Sequence, residues 1–441
     1  MKTSSMPVKK VFFIVLAFSA KITAQTISHD TVALSLQQAV TMAQANNKTI
    51  TIAKTDELAA TMDYKDVKNG MLPTFSVSGN YQRFSKITLY ENGLTESNSI
   101  DKRPDPNVAG LGVDMVWNLY AGGKQRSVVE ENRYKKQLTS INTEEQAGNV
   151  GVQTAAQYLD LVRLYYLKKL IADQRKRFEL RLKNITAFYN TQRITRSDLL
   201  RAEVALSNVI LSQSQNDNDI DISNQKLTVL LDIDQTSKIT PIDTIMSVRP
   251  KNDLAFENFQ NPYPLQKIDM NLKIQSARIK NLQANYFPTL LLVSAYGFNY
   301  PNNLFPVPVA QTYAAGYAGV RLSYNISSIY QNRNKVNALK LRDSELKLQK
   351  DWVSDNIHQE VEALNIKYDE AIERIKVTEK SMEQSKVNLD ITNTKYLNQL
   401  ALLTDLLDAD NLYQETRYNY INAQTAALNI YYRLLFTKGL L

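Results

Sequence analysis

The chain has 441 residues, with 52 Lys and Arg against 44 Asp and Glu, a formal net charge of +8, and no cysteine. The missing cysteine excludes disulfide staples, thiol chemistry and an N-terminal lipid-bearing cysteine. Four of the positive charges, Lys2, Lys9, Lys10 and Lys21, lie in a leader without acids, so 8 − 4 leaves +4, too near balance to argue for nucleic acid.

The leader opens the chain. Met1–Lys10 is basic, Val11–Ala20 is apolar, and Ile22-Thr23-Ala24 supplies small residues before Gln25. This pattern predicts a secretory signal over residues 1–24, removed after Ala24, because the apolar part is too short to span a bilayer. No later stretch offers about 18 consecutive apolar residues, so no transmembrane helix is expected. The mature protein is expected outside the cytoplasm, with no lipid anchor.

Prolines and repeats divide the rest. Beyond the leader every proline falls within Pro73–Pro106, Pro241–Pro264 or Pro288–Pro308, leaving residues 107–240 and 309–441, 134 and 133 residues long, without one. Proline inside a helix costs about 3 kcal/mol, so its exclusion marks long uninterrupted helices. The expected order is a helix over Leu36–Gly70, strands over about 72–90 and 108–119, and a helical hairpin over 124–231. Within that hairpin, Lys124–Asn190 would be about 100 Å of helix. Residues 232–264, rich in proline, are expected to be an irregular linker beside the helical body. A second helix over Leu265–Tyr286, strands over about 288–300 and 311–326, and a hairpin over 333–436 repeat the pattern. Residues 25–231 and 265–441 thus read as two repeats. Loops are expected over Glu91–Asn107 and Pro301–Gln311.

The strand segments alternate. Phe75, Val77 and Tyr81 face away from Ser76, Ser78 and Asn80, and Leu111, Val113, Met115, Trp117 and Leu119 alternate with Gly112, Asp114 and Asn118. In the second repeat Leu290, Leu292, Tyr296, Phe298 and Tyr300, then Val320, Leu322, Tyr324 and Ile326, do the same. Period two with aromatic ends predicts membrane-barrel strands, apolar outside and polar inside, although a soluble sandwich alternates too. Four strands cannot close a barrel, and open edges are not tolerated in lipid. The strands must be pooled between chains, and three copies would supply twelve.

Each hairpin has a tip, and the tips are copies. Tyr189–Ala205 (YNTQRITRSDLLRAEVA) and Tyr396–Leu412 (YLNQLALLTDLLDADNL) start 207 residues apart. Gln192 answers to Gln399, Ser197-Asp198 to Thr404-Asp405, and Ala202 to Ala409. Ser197 and Thr404 are expected to begin the returning helices, each followed by an aspartate suited to the helix dipole. Those helices carry seams at alternating three and four residues: Leu199, Ala202, Leu206, Val209 and onward to Leu230, and Leu406, Ala409, Tyr413 and onward to Leu434.

The order helix, strand, strand, long hairpin, given twice, resembles the TolC family of outer-membrane efflux proteins over essentially the whole mature chain. Leu72-Pro73-Thr74, Trp117-Asn118-Leu119-Tyr120-Ala121-Gly122-Gly123, Phe287-Pro288-Thr289 and Thr404-Asp405-Leu406-Leu407-Asp408-Ala409 carry the resemblance. It implies a fold that is mainly α with membrane β: a homotrimeric 12-stranded β-barrel, four strands per chain, continued by a periplasmic α-helical coiled-coil barrel. It also implies an outer-membrane exit duct of a tripartite efflux pump, docking on a periplasmic adaptor and an inner-membrane transporter. A type I secretion channel and a non-channel periplasmic scaffold are the alternatives. The chain departs from the family pattern at Asn118 and Asn325, at Ile329-Tyr330 in place of the glycine pair, and at Asn398–Leu403, which lacks a tip arginine.

Asp405 and Asp408, three apart on one helical face, are the candidate pore constriction, as the matching family positions imply. On a threefold axis such carboxylates would crowd, repel and favour cations. In the first tip Arg201 stands where Asp408 does, so Gln192, Ser197, Asp198 and Arg201, with Gln399 and Thr404, are candidates for adaptor contact or a latch. Only His29 and His358 could supply imidazole, neither beside a ligand cluster or nucleophile, and there is no phosphate-binding glycine loop. No catalysis, cofactor or metal is expected.

Overall fold

A computed structural model describes residues 31–85, 105–243, 262–302, 304 and 309–441. The expected leader, most of the loop over 91–107, and the middle of the 232–264 linker lie outside the described residues.

The first repeat opens with a short strand, β1 (Thr31–Leu34), followed by α1 (Leu36–Asn46) and α2 (Lys48–Asn69). The single helix expected over Leu36–Gly70 is therefore two. Asn47 breaks it with φ −56° and ψ 132°, because its side chain serves both neighbours. Its Oδ1 accepts the Thr49 N–H at 2.9 Å and its Nδ2 donates to the Leu230 carbonyl at 2.9 Å. Asparagine competes with the helix ladder in this way wherever a backbone partner is near.

Strands β2 (Thr74–Arg83) and β3 (Asn107–Ala121) lead to α3 (Lys124–Asn190), 67 residues without a break, and α4 (Arg196–Leu231). The linker is not wholly irregular, since Lys238–Pro241 forms β4 and pairs in parallel with β1. The Tyr158 hydroxyl on α3 closes this corner, donating to the Leu34 carbonyl at 2.8 Å beside the Asp243 carboxylate, which accepts the Leu36 N–H. Burial, and then the Asp243 charge, push that phenol well above its usual range.

The second repeat has α5 (Tyr263–Gln283), a 3₁₀ turn, β5 (Thr289–Tyr300), β6 (Tyr313–Ser323), a short α6 (Ser328–Gln331), α7 (Arg333–Leu397) and α8 (Leu403–Thr437). β6 stops at Ser323, short of the expected 326, where Asn325 turns the chain by accepting the Ser327 N–H.

All four long strands join one antiparallel sheet in the order β2-β3-β5-β6. The register places Phe75 opposite Met115, Val77 opposite Val113, Val113 opposite Tyr296, Leu111 opposite Phe298, and Leu292 opposite Val320. One face is thus apolar across every strand, and it lies open: Val77 is 74% exposed, Val320 68% and Leu111 59%. The other face carries Ser76, Ser78, Asn80, Asp114, Asn299 and Arg321. The register slips between Asn118 and Tyr120, so Leu119 is a bulge residue rather than the last step of the alternation, and Tyr120 returns to the apolar face.

The helices continue the sheet in two tiers. Next to the strands α2 packs on α3, α3 on α5 and α5 on α7; toward the tips α4 packs on α3, α3 on α8 and α8 on α7. The core centres on α3, with Tyr158, Leu159, Leu161, Leu227, Leu231 and Ile239 fully buried. The seams face inward, and Ala202, Val209, Ile220 and Leu227 on α4, like Leu406, Ala409, Ala423 and Ala427 on α8, are buried. Polar seam residues find partners: the Asn216 amide donates to the Leu164 carbonyl, and Ser385 meets Thr416 at 2.6 Å.

The two strand-to-helix joints differ. In the first, Gly122 and Gly123 take φ +62° and +83°. In the second, α6 makes the turn, which explains why Ile329-Tyr330 can replace the glycines. A Cβ on Gly122 would strike the Ala284 carbonyl and come within 2.8 Å of Phe287 Cβ, whereas Gly123 has nothing within 4 Å. Gly123→Ala is expected to cost only the left-handed backbone penalty of about 1–2 kcal/mol. Gly122→Ala should add an overpacking cost of about 1–3 kcal/mol, read as the larger drop in the denaturation midpoint of the purified protein.

Candidate functional site

The two hairpin tips are built on the same bonds. α3 ends with the Gln192 N–H on the Tyr189 carbonyl and the Arg193 N–H on the Phe188 carbonyl; α7 ends with Gln399 on Tyr396 and Leu400 on Lys395. Both are Schellman closures. Gln192 (φ 57°) and Gln399 (φ 60°) hold the left-handed position usually given to glycine, so these two candidate residues define the turn geometry itself.

The returning helices start earlier than the hydroxyl pattern predicts. Ser197 and Thr404 are not caps. α4 is capped by Thr195, whose N–H and hydroxyl both donate to Asp198 Oδ2 while its hydroxyl accepts the Asp198 N–H at 3.2 Å. α8 begins after Leu402, whose N–H donates to Asp405 Oδ2 at 3.0 Å. Leucine has no oxygen to return the bond, so only half of the capping box is made. The reason for the shift is the reach of aspartate, which from the third helical position can bond back to the cap.

Ser197 and Arg201 are exposed on the first tip and Asp198 is half-buried; on the second tip Gln399, Asp405 and Asp408 are exposed and Thr404 is half-buried. Asp198 and Gln399 share a cleft between the tips with Phe188, Arg193 and Tyr396. Burial, and then the nearby Asp198 charge, raise the Tyr396 phenol. Beneath the cleft Leu403 packs with Ile185 and Ala202, binding tip to tip. Asp405 and Asp408 stand on the open side of α8, and Asp408 has no bonded partner among the described residues.

The residue that sequence reasoning missed is Asp410, two positions further on and completely buried. Its Oδ1 accepts from Arg177 and its Oδ2 from Arg181, each at 2.9 Å. Arg181 is itself nearly buried and lies 4.8 Å over the Phe178 ring. This cluster ties α8 of the second hairpin to α3 of the first, near the tips. Among the described residues no helix is long and apolar enough to cross a membrane, and no group of three or more His, Cys, Asp or Glu could hold a metal.

No family model matches the chain, and no curated protein matches it. Solved structures do. CusC, a protein that forms a transmembrane channel, shares 14% identity over 92% of this chain and 93% of its own, with a TM-score of 0.77. The CmeC outer membrane channel of Campylobacter jejuni shares 14% over 99% and 94%, with a TM-score of 0.75. The MtrE outer membrane channel of Neisseria gonorrhoeae, solved in its open state, shares 16% over 99% and 98%, with a TM-score of 0.73. At such identities the likeness establishes the fold. The chain shares the fold of these three channels, and in it strand pairs and long hairpins alternate twice.

The three aspartates of the second tip should separate in stability. Asp410→Ala leaves Arg181 buried without its counter-ion and is expected to cost about 3–5 kcal/mol. Asp405→Ala loses a dipole and cap contact worth about 0.3–1 kcal/mol, and Asp408→Ala stays within about 0.5 kcal/mol. Hydrogen exchange of the tip amides measures the order.

Proposed function

We propose that three copies of this chain close into one exit duct, a β-barrel in the bacterial outer membrane continued by a helical tunnel in the periplasm. The duct passively conducts small molecules that a periplasmic adaptor and an inner-membrane transporter deliver to its tips. One observation carries this reading: among the described residues the sheet and each helical tier are four elements wide, and the outer strands and outer long helices have a neighbour on one side only. β2, α2 and α4 of the first repeat form one edge, and β6 and α7 of the second form the other.

Those edges are chemically prepared for a neighbour. On α4, Leu200, Val204, Leu211, Ile222 and Val229 are exposed and, at 100° per residue, fall on one narrow face opposite the buried seam. On α7, Leu341, Leu348, Trp352, Ile366, Val377 and Ile391 are exposed and form a second straight stripe, again opposite the buried side. The two stripes are on different surfaces, so the contact is head-to-tail and must close into a ring. The strand edges impose the same closure, since unpaired backbone groups cannot face hydrocarbon. Three copies of four strands give twelve, an even number in the range of known membrane barrels.

In such a ring Asp405 and Asp408 of three chains would gather six carboxylates at the tunnel mouth and set cation preference. Gln192, Ser197, Asp198, Arg201, Gln399 and Thr404, exposed or half-buried around the tips, are the surface offered to an adaptor or to a latch between hairpins. The Asp410 cluster holds the two hairpins in register beneath that mouth.

Two experiments test this reading. Full-length protein carrying Asp405→Ala with Asp408→Ala, reconstituted in planar bilayers, should lose most of its cation selectivity and conduct differently from wild type. Unchanged single-channel behaviour would remove the constriction from the account. Leu211→Asp with Ile222→Asp on the open α4 face should leave each chain folded by circular dichroism but break the assembly to monomers in detergent. An assembly that survives both charges would mean that this face is not the contact.

A further inference from the structure

Where the sheet meets the helices, the charge is one-sided. Between Asp269 and Asp343 the chain carries eight Lys and Arg and no acid. The structure gathers cations from both repeats to this single level. Lys68 is in the last turn of α2, Lys124 and Arg126 in the first turn of α3, Lys280 in the last turn of α5, and Arg333 and Lys335 in the first turn of α7. All six are exposed. Lys280 lies 3.8 Å from Glu130, and Lys124 reaches the Asn285 side chain. For Lys68, Arg126, Arg333 and Lys335 there is no ion-pair partner among the described residues, and the nearest acids in sequence are Asp66 to Lys68, Glu130 to Arg126, and Asp343 to Arg333 and Lys335. Helix stability does not call for this arrangement, because cations in the first turns of α3 and α7 oppose the helix dipole.

The same level is ringed with exposed aromatic and aliphatic side chains: Trp117, Tyr120, Phe287, Tyr324, Ile326 and Tyr330. Trp117 packs with its indole N–H on the Met71 carbonyl at 3.0 Å, leaving its ring at the base of the apolar sheet face. Aromatics at the end of an apolar band mark the depth of the bilayer interface. Long cationic side chains just beyond them reach lipid phosphates while their stems stay on apolar surface.

We propose that this joint is a docking belt for anionic glycerophospholipids of the periplasmic leaflet, with Lys124, Arg126, Arg333 and Lys335 supplying the charge. The proposal rests on the duct reading, which puts the joint at that leaflet. The belt fixes how deep the barrel sits and enriches phosphatidylglycerol-type headgroups around it.

The test uses the full chain in vesicles of phosphatidylcholine with a minor share of phosphatidylglycerol. Insertion is scored by flotation, and the lipid retained on the detergent-extracted protein by mass spectrometry. Wild type should retain phosphatidylglycerol well above its share in the vesicle, and the excess should shrink with salt. Each surface charge near an anionic leaflet is worth about a fivefold change in partitioning. The variant Lys124→Gln/Arg126→Gln/Arg333→Gln/Lys335→Gln should therefore still float but lose the excess. Wild type that floats without enrichment, or a variant that keeps it, overturns the belt alone. A wild-type chain that fails to float with the vesicles overturns the duct reading and the belt with it.

Discussion

A backbone N–H or carbonyl left unpaired in hydrocarbon costs several kcal/mol, and this chain presents two rows of them, on the outer edges of β2 and β6. The apolar sheet face beside those rows cannot be left in water either. Everything else follows from finding one neighbour for each edge. The helices inherit the same problem, because α3 and α7 run the full length of the body while α2 and α4 share one side of it. A fold that is four elements wide in all three tiers repeats evenly around an axis, so one rotation can satisfy the strand edges and the helix stripes together.

The internal packing is consistent with a wall rather than a globule. Helix seams are filled with Ala, Ser, Asn and Thr beside Leu and Ile, so that adjacent helices lie close without either owning a thick core. The largest concentration of buried apolar side chains sits at mid-height, where α1, β1 and β4 lean on α3 around Tyr158. That corner joins the beginning of the chain to the linker between repeats, and it braces the helical body on one side. Nearer the tips the apolar clusters are small, and the charged bridge of Arg177 and Arg181 to Asp410 takes over the task of binding hairpin to hairpin. A charged bridge is more sensitive to neighbours than an apolar core, which suits a region proposed to meet other proteins.

Much of this was legible in the sequence where a local rule had no competitor. The exclusion of proline from residues 107–240 and 309–441 marked the long helices, and period two marked the four strands that the sheet contains. The tips were legible as a duplication, and Gln192 and Gln399 do occupy the same left-handed position. What failed depended on partners distant in the chain. The break at Asn47 is secured by a carbonyl 183 residues away, and β1 pairs with a strand 207 positions later. Asp410 carries no local signal of its role, and only the fold brings Arg177 and Arg181 to it from 233 and 229 residues away. The displaced helix starts at Thr195 and Leu402 have a local cause instead, three residues on in each case. An aspartate three residues inside a helix can move the cap to a residue that has no capping side chain.

In the proposed assembly a single chain is one third of a wall. Native mass spectrometry of the full chain, extracted from membranes in mild detergent, counts the chains. Particles of three chains and no stable monomer are expected. A monomer that stays soluble without detergent, or a stable assembly of any other number, would contradict that assembly.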